Sequence, residues 1–408
     1  MEVVIESIAA GGDGVARADG LVVFVPRTAP GDVAEIEIEP RGRFARGVLR
    51  QLRTPSPDRV TPRCPHYDGD RCGGCQLQHL AYAAQLTAKS RIVADALRRI
   101  GRRDVQTPVV HASPDEWGYR RKLTLALRRQ GGAWVAGLHR YDAPDRVFAL
   151  RECPIAHDDV LAVWREVMGA SDALPEAARL RGAVRVDARR ASLVLEGGGR
   201  WPRLDEFLAR VPGVDAVWWQ AEGGPLAPVR ERARDAGAAP GASFAQVNPR
   251  VAAHLQRHVL ERVRAHGPRA VVDAYAGLGD TAAALAAEGC RVTAIELDAA
   301  AAAWCAERLS HPSRAIAGRV EDALPAALPA DVVILNPPRA GVDRRVTATL
   351  AAAAPAPRAI LYVSCDPATL ARDVARLAGW RIASLAAFDM FPQTAHVECV
   401  CELLPERA

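Results

Sequence analysis

From residue 270 onward, short apolar segments typical of buried β-strands alternate with segments of helical periodicity. The apolar segments cover 270–273, 291–295, 332–335 and 359–364. Strands that alternate with helices predict βαβ units, and therefore a parallel sheet with helices on both faces. Ligands of such sheets bind at the carboxyl ends of the strands. The polar residues that follow these strands are therefore the first candidates for a functional site.

The first two of these strands end in a pattern that suits a nucleoside. The first strand runs into a glycine-rich turn, Tyr275-Ala-Gly-Leu-Gly-Asp280, and the second ends at Glu296. The glycines permit close approach of a ligand to the backbone, and a carboxylate at the next strand tip can accept hydrogen bonds from two ribose hydroxyls. This pattern predicts a cofactor that contains a nucleoside.

The charge of the turn separates two classes of such cofactors. The turn lacks the G-x-G-x-x-G spacing that a dinucleotide pyrophosphate requires. It also carries Asp280, and Asp273 ends the strand before it. Negative charge disfavours a phosphate and suits the cationic sulfonium of S-adenosylmethionine. We therefore favour a methyl donor over a dinucleotide.

The other two strand tips carry Asn336, in Asn336-Pro-Pro-Arg339, and Cys365. Asp366 and Pro367 predict the N-cap and first residue of a helix, whose N-terminus favours a thiolate. A last strand predicted from residue 394 places Glu398 near its beginning. Taken alone, Cys365 is more simply a buried structural cysteine, and Glu398 an edge-strand carboxylate paired with an arginine. Both alternatives stay open at this point.

A second group of candidates consists of Cys64, Cys72, Cys75 and Cys153. The chain has nine cysteines, no apolar run that spans a membrane and no signal-peptide layout. We therefore expect a cytoplasmic protein that uses cysteines for metal binding or catalysis rather than disulfides. Four thiolates can hold zinc or a [4Fe–4S] cluster. The three-plus-one spacing, with proline after two of the ligands, favours the cluster, while zinc and four unrelated cysteines remain alternatives.

The N-terminal 53 residues contain short strands separated by turn clusters, which predicts a small five-stranded barrel of the OB kind. Its last strand is flanked by five arginines, at positions 41, 43, 46, 50 and 53. These suit phosphate contacts with RNA, although a solvated basic edge that prevents aggregation is the alternative. The net charge of +5 alone does not argue for nucleic acid, and almost all basic residues are arginine, with lysine only at positions 89 and 122.

The middle of the chain is predicted to form a mixed α+β region. Helical spacing covers 76–100, and strands are predicted at 119–127, 133–140, 147–150, 183–189, 192–196 and 214–219. A second basic concentration, at 120–122 and 128–129, lies close to Trp117 and Tyr119. Interleaved aromatic and basic residues suit RNA, but a solvated sheet face explains them equally well.

Several motifs together resemble those of the RNA uracil-5 methyltransferase family. They are the four cysteines, Ser243-Phe-Ala-Gln246-Val-Asn248, Asp273-Ala-Tyr-Ala-Gly-Leu-Gly279, Asn336-Pro-Pro-Arg339, Ser364-Cys-Asp-Pro-Ala-Thr-Leu-Ala-Arg-Asp373 and His396-Val-Glu398. The resemblance covers nearly the whole chain. It is greatest to the bacterial 23S rRNA branch, which commonly carries both an N-terminal TRAM barrel and an iron–sulfur cluster, whereas the bacterial tRNA branch usually lacks both.

The resemblance implies a multidomain protein in three parts. Residues 1–53 would form a small OB-like TRAM barrel that binds RNA, and residues 54–243 a central α+β domain with the iron–sulfur site. Residues 244–408 would form an α/β, Rossmann-like, S-adenosylmethionine-dependent methyltransferase domain. The expected partner is RNA, with rRNA preferred over tRNA, and we expect a monomer with no membrane association.

The resemblance also implies roles for single residues. Gln246, Tyr275, Glu296 and Asn336 would bind S-adenosylmethionine, and Asp280 joins them on the charge argument given above. Cys365 would be the nucleophile that adds to uracil carbon 6, and Glu398 the base that removes the proton from carbon 5. The four cysteines would hold a [4Fe–4S] cluster.

Two positions depart from the family pattern. The family usually has aspartate at the position of Asn336 and often asparagine at the position of Asp280, so Asp280 would partly restore the charge lost at Asn336. Two alternatives from other classes follow. One is a non-catalytic RNA-binding or ribosome-assembly factor on a methyltransferase scaffold, and the other is an iron–sulfur redox protein.

Overall fold

The computed structural model describes residues 1–187, 190–232 and 246–406, which fold into two compact units. The first unit comprises Met1–Gln85, Asp115–Pro249 and Pro392–Ala395. The second comprises Leu86–Pro114, Arg250–Phe391 and His396–Ala408. The end of the strand predicted at 183–189, the Ser243-Phe-Ala part of the Gln246 motif and the predicted boundary at 243/244 lie outside the described residues.

The N-terminal part of the first unit is a six-stranded sheet. Its strands are β1 (Glu2–Val4), β2 (Ser7–Ile8), β3 (Gly14–Ala18), β4 (Leu21–Val25), β5 (Val33–Pro40) and β6 (Phe44–Thr54). The spatial order is β1-β5-β6-β4-β3-β2, and alternating apolar residues such as Val23, Val25 and Ile36 form its core. The predicted five-stranded barrel was therefore wrong in strand number. The local pattern marked neither β2 nor β3, and β3 follows a glycine-rich turn and pairs antiparallel with both β2 and β4.

Three of the five arginines around β6 are paired with glutamates on β5. Arg50 bonds Glu37 and Arg53 bonds Glu35 across the two antiparallel strands. Arg41 lies 3.2 Å from Glu39. Much of the positive charge that the sequence suggested for RNA contacts is thus neutralised within the sheet itself.

The helical spacing predicted over 76–100 is helix only in its second part. After α1 (Pro65–Asp68), the helix α2 covers Tyr82–Arg99. The backbone amides of Gln76 and Leu77 instead donate to the carbonyl of Gln393. The segment then forms a turn closed by the hydrogen bond from the amide of Leu80 to the carbonyl of Leu77, so the helix begins only after Ala81. The short strand β7 (Val110–His111) comes next along the chain.

The central part of the first unit is a seven-stranded sheet in the order β10-β9-β8-β11-β12-β13-β14. The elements are β8 (Lys122–Gln130), β9 (Ala133–His139), β10 (Val147–Ala149), α3 (Asp158–Gly169), β11 (Arg179–Val186), β12 (Ala191–Glu196), α4 (Leu204–Arg210), β13 (Ala216–Gln220) and β14 (Leu226–Glu231). Leucines at every second position of β8 face one core together with Trp164 of α3 and Phe207 of α4. Three of the four candidate metal-binding cysteines, Cys64, Cys75 and Cys153, belong to this core.

The second unit is built on an eight-stranded sheet in the order β17-β16-β15-β18-β19-β21-β20-β7. The elements are α5 (Pro249–Arg264), β15 (Ala270–Ala274), α6 (Asp280–Ala287), β16 (Arg291–Glu296), α7 (Ala299–Glu307), β17 (Arg314–Ala317), α8 (Val320–Ala327), β18 (Val332–Leu335), α9 (Arg344–Ala352), β19 (Ala359–Ser364), α10 (Pro367–Ala375), β20 (Trp380–Phe388) and β21 (Glu398–Pro405). Strands β15 to β19 pair in parallel, as predicted. Strand β21 inserts antiparallel between β19 and β20.

Both faces of this sheet are covered. Along β18, Val332 and Ile334 belong to one core, and Val333 and Leu335 belong to the other. Because side chains alternate between the faces of a strand, a continuous apolar run is what a sheet with two covered faces requires. In the part of the chain that the structure describes, no helix is long and apolar enough to cross a membrane.

Candidate active site

The glycine-rich turn and Glu296 form one hydrogen-bonded corner at the end of β15 and β16. The backbone amide of Gly277 donates to Glu296 Oε2 at 2.8 Å, and the amide of Asp298 donates to Oε1 at 2.8 Å. Gly279 has φ +77°, and a Cβ there would lie 2.2 Å from the sulfur of Cys305. The turn therefore requires glycine at this position, and the amides of Gly277 and Asp298 fix the Glu296 carboxylate beside the turn.

Asp273, in β15, and Asp280, at the end of the turn, have different surroundings. Asp273 is 3% exposed, and its Oδ2 has no hydrogen-bond partner within the described residues. Burial raises the pKa of Asp273 to about 7, and the negative charges of Asp280 and Glu296 add to this increase. Asp280, by contrast, is 2.7 Å from Arg308, and 64% of its side chain is exposed. Its ion pair with Arg308 weakens the argument that Asp280 restores the charge lost at Asn336.

Asn336 and Cys365 follow neighbouring parallel strands and lie at the same edge as the turn. Strand β18 pairs with β15 up to Leu335↔Ala274, and with β19 up to Leu335↔Tyr362. The backbone amide of Asn336 donates to the carbonyl of Ala274 at 3.2 Å, and its side chain is exposed. The carboxyl ends of β15, β16, β18 and β19 thus present Tyr275, Glu296, Asn336 and Cys365 along one edge, as the sequence predicted.

Cys365 and Glu398 are brought together by the antiparallel pairing of β19 and β21. The ladder ends with the pair Ser364↔Cys399, so Cys365 and Glu398 are the next facing positions. Cys365 is half-buried, whereas Glu398 is 4% exposed. Helix α10 begins directly after Cys365, and Asp366 caps it by accepting a hydrogen bond from the amide of Thr369 at 2.8 Å.

Burial sets the protonation of this pair. Burial raises the pKa of the Glu398 carboxyl to about 7, and the positive charge of Arg339 opposes the rise. Burial also raises the pKa of the Cys365 thiol, the charge of Glu398 raises it further, and Arg339 lowers it. The sequence argument that a helix N-terminus favours the Cys365 thiolate is thus outweighed here by burial. The sequence indicated no role for Arg339, but its positive charge lowers the pKa of both groups.

A buried carboxylate holds together the elements around Cys365. Asp373 on α10 is fully buried and accepts hydrogen bonds from the hydroxyl of Tyr362 at 2.8 Å and from the amide of Val342 at 3.0 Å. It also pairs with Arg372 at 2.9 Å and Arg376 at 3.0 Å. Asp373 therefore links the strand before Cys365, the helix after it and the loop that follows Asn336. Sequence reasoning missed this role, although Asp373 ends the cysteine motif.

The loop that carries Arg339 is fixed to α10 by two more hydrogen bonds. The hydroxyl of Thr369 donates to the carbonyl of Arg339 at 3.1 Å. The guanidinium of Arg372 donates to the carbonyl of Ala340 at 2.7 Å. The backbone around Arg339 is thereby positioned against helix α10, which begins two residues after Cys365.

The four candidate metal-binding cysteines line one cavity of about 130 Å³ in the first unit. Burial raises the pKa of Cys64 and Cys72 to about 11, and the nearby thiol of Cys153 contributes to both shifts. No group of three or more His, Cys, Asp or Glu side chains in the described ranges is arranged to hold a single metal ion. Four thiols around one cavity are a donor set that both a [4Fe–4S] cluster and a structural zinc ion use.

Gln246 is the one cofactor-site candidate outside the second unit. It belongs to the first unit, close to the end of the segment Asp115–Pro249. The carbonyl of its neighbour Val247 accepts a hydrogen bond from the amide of Arg121 at 2.9 Å. Tyr275, Asp280, Glu296 and Asn336 all lie in the second unit.

Comparisons with known proteins agree with this architecture. The profile of the tRNA (Uracil-5-)-methyltransferase family matches residues 317–406, and the TRAM domain profile matches residues 1–49. An uncharacterized RNA methyltransferase of Thermosynechococcus vestitus is 33% identical over 99% of this chain and 97% of its own length. A 23S rRNA (uracil(1939)-C(5))-methyltransferase of Dechloromonas aromatica is 30% identical over 97% of this chain and 98% of its own length.

Among solved structures, the tRNA (uracil-54, C5)-methyltransferase of Pyrococcus abyssi, in complex with S-adenosyl-L-homocysteine, aligns with a TM-score of 0.74. The match is 25% identical and covers 99% of both chains. The second unit, with its glycine-rich turn at the edge of a mainly parallel sheet, has the fold of the S-adenosylmethionine-dependent methyltransferases. Within that class, the chain belongs to the RNA uracil-5 methyltransferase family, as its relatives over nearly the whole length establish. The resemblance stated from the motifs is thus confirmed.

Proposed function

We propose that this protein methylates carbon 5 of uridine in 23S rRNA. The observation that carries the proposal is the pairing of β19 with β21, which makes Cys365 and Glu398 facing neighbours at the edge that bears the glycine-rich turn. A nucleophile and a base at one cofactor-binding edge are what this reaction requires. Support for rRNA comes from the relatives named as 23S rRNA methyltransferases, which align over almost the entire chain.

In the proposed reaction, the sulfur of Cys365 bonds to carbon 6 of the uracil, which gives carbon 5 the reactivity of an enolate carbon. S-adenosylmethionine supplies the electrophilic methyl group when it is bound. Glu398 then takes the proton from the methylated carbon 5, the carbon 5–carbon 6 double bond re-forms, and the Cys365–carbon 6 bond breaks. The base must be flipped out or single-stranded to reach these residues.

The protonation of Glu398 suits the role of base. A general base works best when its pKa lies near the working pH, and burial raises the pKa of Glu398 to about 7. Burial raises the pKa of the Cys365 thiol and so favours its protonated form, whereas the charge of Arg339 favours the thiolate.

Four strand-end residues of the second unit are proposed to hold the cofactor. Glu296 would accept hydrogen bonds from the ribose hydroxyls, Tyr275 and Asn336 would line the same edge, and Asp280 would contribute less because its charge is paired with Arg308. Gln246 joins this proposal through the family motif alone.

The four cysteines are proposed to hold a [4Fe–4S] cluster. The shared cavity of Cys64, Cys72, Cys75 and Cys153 supports this assignment. When bound, the cluster would cross-link the segment around α1 to the end of the loop after β10. We propose a structural role, in which it helps residues 1–53 and 54–243 to present an RNA-binding surface.

Methyl transfer to defined RNAs tests the proposed function. Wild-type protein should transfer labelled methyl groups from S-adenosylmethionine to unmodified 23S rRNA, and Cys365→Ala should not, although it still binds the cofactor. Cys290→Ala is a matched control, because Cys290 lies at the far end of β16 and should not affect transfer. Wild-type turnover by Cys365→Ala would eliminate the nucleophile assignment, and no transfer by any variant would favour the non-catalytic RNA-binding factor.

A second candidate substrate is tRNA. The alignment with the Pyrococcus abyssi tRNA enzyme over 99% of both chains favours it. Presenting unmodified tRNA and 23S rRNA at equal concentration and mapping the methylated nucleotide separates the two. Preferential transfer to tRNA would replace the rRNA assignment.

A further inference from the structure

One arginine of the N-terminal sheet extends to the four-cysteine cavity. Arg27 follows β4 and adopts φ +63°, a left-handed conformation that is unusual for a residue other than glycine. Its Nη2 donates to the carbonyl of Cys72 at 2.6 Å. A residue other than glycine keeps a left-handed backbone conformation only when its surroundings hold it there, and such residues concentrate at functional sites.

The guanidinium of Arg27 packs against two aromatic rings. Its guanidinium carbon lies 3.2 Å from the ring centroid of Tyr67 and 4.8 Å from that of Tyr141. Cys72, whose carbonyl accepts the hydrogen bond from Arg27, becomes anionic when its thiol binds a metal.

Two buried guanidinium N–H groups near the cavity lack a hydrogen-bond acceptor. They are Nη1 of Arg27 and Nε of Arg120, each without a partner in the described part of the chain. Arg120 lines the four-cysteine cavity. Buried charged donors are rarely left unpaired, so two of them beside one cavity indicate that an anion completes this site.

We propose that Arg27 and Arg120 are the cationic partners of the cluster and set its reduction potential. The inference rests on the proposed [4Fe–4S] assignment. Four thiolates make such a cluster anionic, and gaining an electron makes it more negative. Its potential depends on nearby charge and on hydrogen bonds to its sulfurs. Both arginines therefore stabilise the reduced form, and Arg27 does so from the N-terminal sheet.

The test measures the midpoint potential of the full-length protein, purified without oxygen, by redox titration of its visible and electron paramagnetic resonance spectra. Arg27→Gln and Arg120→Gln should retain iron and sulfide but have lower potentials. The one-electron equilibrium should shift on the order of tenfold toward the oxidised form, about 59 mV. Arg17→Gln is the control, because Arg17 lies on β3 of the same sheet with 67% of its side chain exposed.

A wild-type potential in an iron-replete Arg27→Gln or Arg120→Gln protein overturns the proposal for that arginine. If Arg27→Gln binds no iron while Arg17→Gln does, the melting temperatures of the iron-free proteins distinguish a defect at the cluster from a defect in the fold. Equal values for Arg27→Gln and wild type place the loss at the cluster and support the proposal, whereas a lower value for Arg27→Gln indicates a merely structural role. Wild-type protein without iron and sulfide would instead refute the cluster assignment itself.

Discussion

At the scale of single residues, the protonation of Glu398 sets the pH dependence of the proposed reaction. Burial raises its pKa to about 7, so most of the population is protonated below that pH and cannot accept the carbon 5 proton. The rate of adduct breakdown should therefore rise about tenfold per pH unit below 7 and level off above it. Single-turnover measurements between pH 5.5 and about pH 8.5 check this. A flat profile would remove Glu398 from the base role.

The same raised pKa predicts an effect on stability. Between the ordinary pKa of a glutamate and about 7, the native state binds this proton and the unfolded state does not, so the free energy of unfolding falls as pH rises. Glu398→Gln removes that fall. The free energy of unfolding of the variant minus that of wild type should therefore rise by about 1–3 kcal/mol from pH 5 to pH 8. Denaturant unfolding of both proteins across this range measures it. A pH-independent difference would contradict the burial argument.

At the scale of elements, a buried ion pair fixes the turn at the end of β20. Lys89 of α2 and Asp389 are both fully buried and bonded to each other, and Lys89 also donates to the carbonyl of Phe391 at 3.0 Å. Asp389 comes directly after Phe388, which faces Glu398 in the β20–β21 ladder. Lys89 is one of only two lysines in a chain whose basic residues are otherwise arginine.

Removing one partner of this pair should be more harmful than removing both. Lys89→Ala leaves the Asp389 carboxylate buried without its cation, and it should lose about 3–5 kcal/mol of stability. The double variant Lys89→Met/Asp389→Leu should lose much less, because no unpaired charge remains buried. Denaturant unfolding of the three proteins measures the difference. Equal losses in the single and double variants would contradict the account.

The sequence predicted some features of the second unit and not others. The parallel strands and their polar tips followed from local pattern, because a buried apolar run followed by a helix requires that arrangement. The facing of Cys365 and Glu398 did not, since it depends on β21 inserting between β19 and β20, a long-range pairing that local pattern does not specify. The raised pKa of Cys365 was missed for the same reason, because the burial that causes it comes from the assembled sheet.

At the scale of the whole molecule, the arginines of the N-terminal sheet divide into two groups with different expected effects on RNA binding. Arg53 is paired with Glu35, whereas Arg43 is exposed and has no ion pair within residues 1–187, 190–232 and 246–406. Arg43→Ala should weaken RNA binding. It should also reduce the number of counterions released on binding by about one, as measured from the slope of log affinity against log salt concentration. Arg53→Ala is the matched control with a smaller effect. Equal effects would show that the ion pairs on β5 and β6 do not govern RNA contacts.

The central claim is that Cys365 and Glu398 act in sequence on one uracil, and trapping the intermediate tests it most directly. Glu398→Gln should form the bond between Cys365 and carbon 6, transfer the methyl group and then stop, because no base removes the carbon 5 proton. Incubation with unmodified rRNA and S-adenosylmethionine, followed by protease and nuclease digestion and mass spectrometry, should identify methylated uridine attached to Cys365. Full release of methylated RNA by this variant, or an adduct on another residue, would contradict the account.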